Sequence, residues 1–408
     1  MDALAAVETI ARESYGRLVA YLSARSRDVA GAEDALSDAL HAALTTWPRD
    51  GVPQKPEAWL LATARRRLID ESRRTEVRER LAPTVQHMME TLANNGADEA
   101  FPDERLKLLF LCAHPAIDAT ARTPLMLQTV LGLDAARIAS AFLVAPATMG
   151  QRLVRAKSKI RIAGIPFAVP GAKDLPARLD AVLEAIYAAY NSGWENPTGT
   201  DACAGGLATE AIWLTRVLLG LLPNEPEVHG LLSLQLHCEA RRAARRSVSG
   251  EFVPLSEQDN ALWSRPMLEE AERALTVASS FQRVGRFQLE AAIQSVHSHR
   301  RLTGRTEWRV IVQLYGELIR HAPTVGALVS RAAALAEAGE LPAALRELDE
   351  IPTTTITAYQ SFWAVRAHVL ARLGNVAEAR AAYTRAIGLT EDEAIRKFLR
   401  QRSAALAE

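Results

Sequence analysis

Apolar residues recur along most of this chain at the spacing of one helix face, and strand-type alternation is nearly absent. Ala, Leu, Arg and Glu, all good helix formers, dominate the periodic stretches. The pattern predicts an all-α protein. The first helices are expected from about Asp2 to Ser26 and from about Ala30 to Trp47, with Leu36, Leu40, Ala43 and Trp47 as the buried stripe of the second. Pro48 to Pro56 reads as a loop. A third helix follows from about Glu57 to Arg80, with Trp59, Leu60, Ala64, Leu68 and Ile69 inward and an arginine-rich outer face. Residues 81–103 lose the periodicity at Pro83, Asn94-Asn95-Gly96 and Pro102 and read as a linker.

Residues 133–161, LDAARIASAFLVAPATMGQRLVRAKSKIR, are the most informative segment. Leu133, Ile138 and Ala139 face inward from one short helix, and Phe142 to Ala145 makes a corner. Met149, Leu153, Ala156 and Ile160 then repeat on a second helix, whose opposite face carries Thr148, Gln151, Arg152, Arg155 and Lys159. Between Ala135 and Lys173 there is no acidic residue. A basic face alone describes many solvated helices. Two short helices around a corner, with the basic face on the second, are what a helix-turn-helix DNA reader requires. Arg and Lys neutralise phosphates, and Gln or Arg reaches base edges in the major groove.

Composition narrows the function classes. Lys plus Arg and Asp plus Glu are both 48, so nucleic-acid affinity must come from local patches and not from a global field. Cys112, Cys203 and Cys238 lie far apart, which suggests a reducing cytoplasm and neither a disulfide framework nor a zinc site. The opening MDALAAVETIARESYG has no signal-peptide pattern, and no apolar run is long enough to span a bilayer, so no membrane role is expected. His87, Met88 and Met89 suggest a metal cluster, but without carboxylate partners they read as a short helical turn. Cys112 reads as buried packing and His114 as a helix-end residue. With no Walker loop, dinucleotide glycine motif, catalytic triad or paired metal-ligand spacing, neither an enzyme nor a cofactor is expected.

Pro166, Pro170, Gly171 and Pro176 mark a boundary over residues 164–179. Residues 180–290 are read as a helical extension, with Gly193 explained as a helix C-cap. Residues 291–408 repeat. Gly339-Glu340-Leu341-Pro342-Ala343-Ala344 and Gly374-Asn375-Val376-Ala377-Glu378-Ala379 are the same turn-then-helix start. Ala332/Ala367, Leu335/Leu370, Ala344/Ala379 and Leu348/Tyr383 match in position, and Tyr315, Leu318 and Pro323 suggest an earlier degenerate copy. The period resembles that of tetratricopeptide repeats.

Three segments together resemble bacterial sigma factors of the extracytoplasmic-function type. Leu133, Ile138-Ala139, Val144, Thr148, Arg152-Leu153 and Arg155-Ala156-Lys157 follow the family's promoter-reading helix-turn-helix, with Leu143 where Gly is common. Trp59, Leu60, Leu61, Ala64-Arg65, Ile69-Asp70 and Arg73-Arg74 follow the segment of region two that engages the −10 element, with Arg66 where the family often has Asn. Ala32-Glu33-Asp34 and Asp38 resemble the acidic helix that holds the clamp of core RNA polymerase, with Ser37 in place of Gln. The whole chain resembles the subgroup with a long helical extension ending in tetratricopeptide-like repeats.

The resemblance implies region two over residues 1–80, a linker over 81–103, region four over 104–163, a second linker over 164–179, an extension over 180–290 and repeats over 291–408. It also implies partners and contacts. Core RNA polymerase would be held by Glu33, Asp34 and Asp38. The −35 DNA would be read by Thr148, Gln151, Arg152, Arg155 and Lys159. The −10 DNA would be met by Trp59, Arg65, Arg66, Arg67, Arg73 and Arg74. An aromatic beside guanidinium groups suits unstacked single strands. The extension is expected to act in cis, with a protein or the sigma domains themselves on a concave repeat surface. A conventional helix-turn-helix regulator with a repeat-type sensor is the alternative; it leaves the 57–80 helix unexplained.

Overall fold

The computed structural model describes residues 3–79, 103–130, 132–142, 144–171, 173–194, 202–352 and 356–406. Among them the architecture is helical, with no strand beyond one isolated bridge between Arg246 and Phe252. The contacts divide the chain into two compact units, Met1–Val217 and Leu218–Glu408.

The first unit opens with α1 (Ala3–Glu13), α2 (Tyr15–Ser26), α3 (Val29–Asp50) and α4 (Pro56–Glu79). The single long helix expected at the start is therefore two, separated at Ser14, whose hydroxyl donates to Glu57 of α4. Asp28 caps α3 by accepting from the Gly31 amide at 3.2 Å, which satisfies one orphan donor of its first turn. The α3 stripe of Leu36, Ala43 and Trp47 is buried as expected, while Leu40 is only half-buried. Helix α3 runs on through Pro48 to Asp50, shortening the expected loop. The His87, Met88 and Met89 turn and the 81–103 linker, apart from residue 103, lie outside the described residues.

Next come α5 (Arg105–Cys112), α6 (Ala119–Thr129), α7 (Ala135–Ala141) and α8 (Pro146–Ile162). Gly132, at φ 70°, makes the turn that leads into α7, a backbone geometry that favours glycine. Asp134 caps α7 through the Arg137 amide at 2.8 Å. The corner after α7 is closed by the Val144 amide donating to Ala139 at 3.0 Å, and Pro146 starts α8 where a missing N–H costs nothing. Leu143 lies outside the described residues.

Two further helices, α9 (Leu175–Trp194) and α10 (Ala202–Leu221), follow. Helix α9 begins inside the stretch expected to be a linker and runs through Gly193, so that glycine is not a C-cap. Its buried face, Leu179, Val182, Leu183 and Ile186, accompanies its packing on α5 and α6. This apolar face is why the compact unit extends to Val217, past the boundary expected at 164–179.

The second unit contains α11 (Pro226–Glu239), α12 (Arg265–Ser280), α13 (Arg286–Thr303), α14 (Trp308–His321), α15 (Val325–Glu337), α16 (Leu341–Asp349), α17 (Gln360–Arg372), α18 (Val376–Leu389) and α19 (Glu393–Ala404). Gly339 and Gly374, 35 positions apart, take φ 87° and 83° between α15 and α16 and between α17 and α18. Every matched pair of the repeat, from Ala332/Ala367 to Leu348/Tyr383, is buried. Small residues let the helices approach and the larger ones fill the adjoining gaps.

Candidate nucleic-acid interface

Helix α8 is divided sharply between two faces. Met149, Leu153, Ala156 and Ile160 are buried, while Thr148, Gln151, Arg155 and Lys159 are exposed and Arg152 is half-buried. Arg152, Arg155 and Lys159 line a shallow depression with Asp118 and Thr120, at the start of α6. The Thr120 hydroxyl and amide hold the Asp118 carboxyl below its ordinary range, with Arg152 and Arg122 adding to the effect. The face can therefore offer guanidinium and ammonium groups to an extended polyanion with little desolvation to undo.

The region-two residues are less uniformly displayed. Trp59 is half-buried, edge-on to the buried Trp47 with ring centroids 5.5 Å apart. Arg65 donates to the Tyr21 hydroxyl and lies over that ring at 5.0 Å, with Arg25 over the same ring at 3.5 Å. Arg67 pairs with Asp38 at 3.2 Å, both well exposed, and Arg66 is exposed. The three expected cations thus have three different environments. Arg73 and Arg74 lie on α4, but their side chains are outside the described residues.

The acidic face is split as well. Asp34 and Asp38 are exposed, but the Glu33 side chain is only 11% exposed and forms an ion pair with Lys157 of α8, itself 14% exposed. Burial holds the Glu33 carboxyl above its ordinary range, against the opposing pull of Lys157. Burial, reinforced by Glu33 and Asp34, also pushes the neighbouring Tyr15 hydroxyl up. Helices α3 and α8 are thus docked, and so are α2 and α6. At the latter contact a Cβ on Gly16 would fall 1.7 Å from the Val130 carbonyl oxygen, so only glycine fits. Lys157 had no site role in the sequence reading. The available signal was its position four residues after Leu153, at the edge of an apolar stripe where a charge needs a partner.

Elsewhere the expected packing roles hold. The Cys112 thiol is buried against Thr129 at 3.6 Å, and burial pushes it up to about 12, which leaves it inert. His114 follows α5 and accepts from the Ala116 amide at 3.1 Å. Among the described residues no cluster of three or more His, Cys, Asp or Glu could hold a metal, and no helix is long and apolar enough to cross a membrane. Arg105 anchors the extension: it pairs with Asp103 at 2.7 Å and with Glu210, and lies over the Trp213 ring at 4.2 Å.

Two family models match parts of the chain. Residues 10–78, spanning most of α1 to α4, match sigma-70 region 2. Residues 178–279 match a family of unknown function (DUF6596). An uncharacterized protein of Rhizobium meliloti (strain 1021) is 36% identical over 402 residues, covering 97% of this chain and 93% of its own length. No solved structure matches. The chain belongs to the same family as that rhizobial protein, and its sigma-70 region 2 supports a sigma-factor role with core RNA polymerase and promoter DNA as partners.

Proposed function

We propose that this chain is a promoter-specific initiation factor of the extracytoplasmic-function type. It reads the −35 element with α8, meets and opens the −10 element with α4, and is controlled in cis by its extension. The observation that carries the reading is the division of α8: one face seals the domain core, and Thr148, Gln151, Arg155 and Lys159 on the other are exposed. Arg66 and the exposed acids Asp34 and Asp38 supply what region two needs for DNA and clamp. A regulator that does not carry polymerase leaves the region 2 match without a purpose.

The docked unit is the resting form in this reading. Glu33 cannot meet a polymerase clamp while Lys157 covers it, so productive binding requires α8 to leave α3. The extension has a grip on this step, because α9 packs on α5 and α6 and Arg105 is held by Glu210. The test is run-off transcription with purified core polymerase and a promoter library selected by the holoenzyme. Promoter-specific transcripts that vanish with Arg152→Ala/Arg155→Ala are expected. Failure to bind core, or transcription indifferent to α8, would refute the proposal. Truncation after Leu221, which keeps the helices of the first compact unit, then reads the contribution of the second unit at equal core occupancy, and identical yields would remove its regulatory role.

A further inference from the structure

The second unit holds a polar interior that neither the sigma reading nor repeat packing explains. Helices α11 and α13 approach so closely that a Cβ on Gly230 would lie 2.7 Å from the Gln288 amide nitrogen. Past that crossing, the facing turns carry polar side chains instead of apolar ones. His237 Nδ1 is 3.1 Å from Ser298 Oγ, and its Nε2 is 3.6 Å from Glu272 Oε1, beyond a hydrogen bond. Arg241 Nη2 donates to Gln294 Oε1 at 2.6 Å and to Cys238 Sγ at 3.6 Å. Both acceptors are neutral. Arg241 Nη1 and His237 Nε2 are buried and have no hydrogen-bond partner among the described residues; Arg241 is 9% and His237 0% exposed.

The surroundings add further positive charge. Burial and then the charge of Arg241 lower Arg300, and burial with Arg241 and Arg242 lowers Arg245 to about 10. The nearby acids are engaged: Glu239 with Arg242 at 2.7 Å, Glu290 with Arg286 at 2.7 Å, and Glu272 with the Ser295 hydroxyl at 2.6 Å. Burial and Arg241 hold both His237 and His297 at about 3, so near neutrality each is an uncharged ring with one N–H to give. Burying a guanidinium among neutral partners costs several kcal/mol unless an anion joins it.

We propose that the polar end of the α11/α13 pair, centred on Arg241 with His237 and His297 and rimmed by Arg245 and Arg300, binds a small phosphate-bearing anion. A phosphate dianion suits several guanidinium groups better than a single carboxylate, and its oxygens take the fork of an arginine and the N–H of a neutral imidazole. Rim residues Arg245 and Arg300 are half-buried, which leaves the ligand a route from solvent. Its His237, Arg241 and Arg245 fall within the 178–279 match, and the site gives that part of the chain a sensing chemistry completed by α13. It requires neither DNA nor polymerase.

The test is isothermal titration and hydrogen exchange on the full chain, with inorganic phosphate and with glycerol phosphate, at constant ionic strength with chloride as control. Saturable binding is expected, with at least tenfold slower exchange at α11 and α13 amides. Arg241→Gln should weaken binding at least tenfold, whereas Arg155→Gln on α8 should leave it unchanged. If Arg241→Gln does not fold, Arg300→Gln on the half-exposed rim provides the same reading, with at least a threefold loss. Tighter binding of the ester identifies a phosphorylated metabolite, and equal or tighter binding of the inorganic ion identifies phosphate itself. No saturable binding of either, or binding lost with Arg155→Gln and kept with Arg241→Gln, overturns the site. Either result leaves the sigma-factor reading to its own transcription assay.

Discussion

Two arginine-rich sites in this molecule differ mainly in how much water they keep. Arg155 and Lys159 of α8 stand in solvent, with an apolar stripe on the other side of the helix to hold it in place. Arg241, at the end of α11, is sealed among neutral partners with a donor left over. Hydrated cations on an open face suit a long polyanion, whose binding is driven by counterion release and weakens steeply with salt. Desolvated cations in an interior suit a compact anion, because the low dielectric strengthens each contact. Residue type alone does not separate the two roles; burial does.

The largest effect expected to sharpen this contrast is in acid. Burial and the Arg241 charge hold His237 and His297 down to about 3 in the folded chain, so they stay neutral well below their ordinary 6.5, near which they titrate in the unfolded chain. Unfolded chains therefore take up protons that the fold refuses. Stability supplied by the neutral rings is present above about pH 6.5 and is lost as pH falls toward 3, by about 1.4 kcal/mol per pH unit for each histidine. Urea unfolding of the full chain at pH 7.0, 6.0 and 5.0 reads the slope. His237→Gln should lower it by close to one proton, and an unchanged slope would mean the ring is not buried neutral.

Next in size, Arg152→Ala or Arg155→Ala should cost about 1–3 kcal/mol in −35 affinity where the arginine makes a base contact. The double variant should also reduce the salt slope by about two, read by anisotropy from 50 to 200 mM salt. Unfolding free energy of Arg155→Ala alone, at an exposed position, should stay within about 0.5 kcal/mol. Unchanged affinity and slope would assign the face to solvent alone.

Opening the docked unit is a third way to probe the contrast. Gly16→Ala sets a methyl group against a backbone carbonyl, and Lys157→Glu sets two carboxylates face to face. Each should weaken docking by about 1–3 kcal/mol. Label pairs on α3 and α8 should move apart and core polymerase should bind more tightly. A closed label distance in both variants would rule out docking as a gate. The smallest effect is the pH dependence of that docking. The docked Glu33 carboxyl is held above its ordinary range, so the docked form binds a proton more readily than the open one. Docking support is full below the ordinary carboxylate range and declines as pH rises through the Glu33 value. Glu33→Gln should remove that component of the pH profile, and an undiminished profile would place its source elsewhere.

Local order was legible in the sequence because one side chain and its neighbours three and four residues away share a face. The α8 stripe and the repeat pairs from Ala332/Ala367 onward are buried where the spacing put them. Long-range pairing was not legible. Nothing near Arg65 announces Tyr21, nothing near Trp59 announces the edge of Trp47, and Glu33 and Lys157 are 124 positions apart. The break at Ser14 was hidden because the apolar spacing continues across it. The Pro-containing start of α9 concealed a helix because proline is tolerated in a first turn, so a run that looked like a linker already belongs to a packed element. The fragment HCEARRAARR was visible as a string of charges, but which of its guanidinium groups is desolvated depends on α13, more than 40 positions later.

The glycine turns at 339 and 374 have a consequence for how such a chain can change length. Ala332/Ala367, Leu335/Leu370 and Ala344/Ala379 are identical across the 35-position interval and only Leu348/Tyr383 differs in size, so the helix pairs bury largely the same residue types. A whole interval could be duplicated or deleted at those turns while the seams on both sides still meet matching surfaces. An insertion of any other length would turn the apolar stripe away from its neighbour. The array is therefore a ruler that can be cut only at its own gradations.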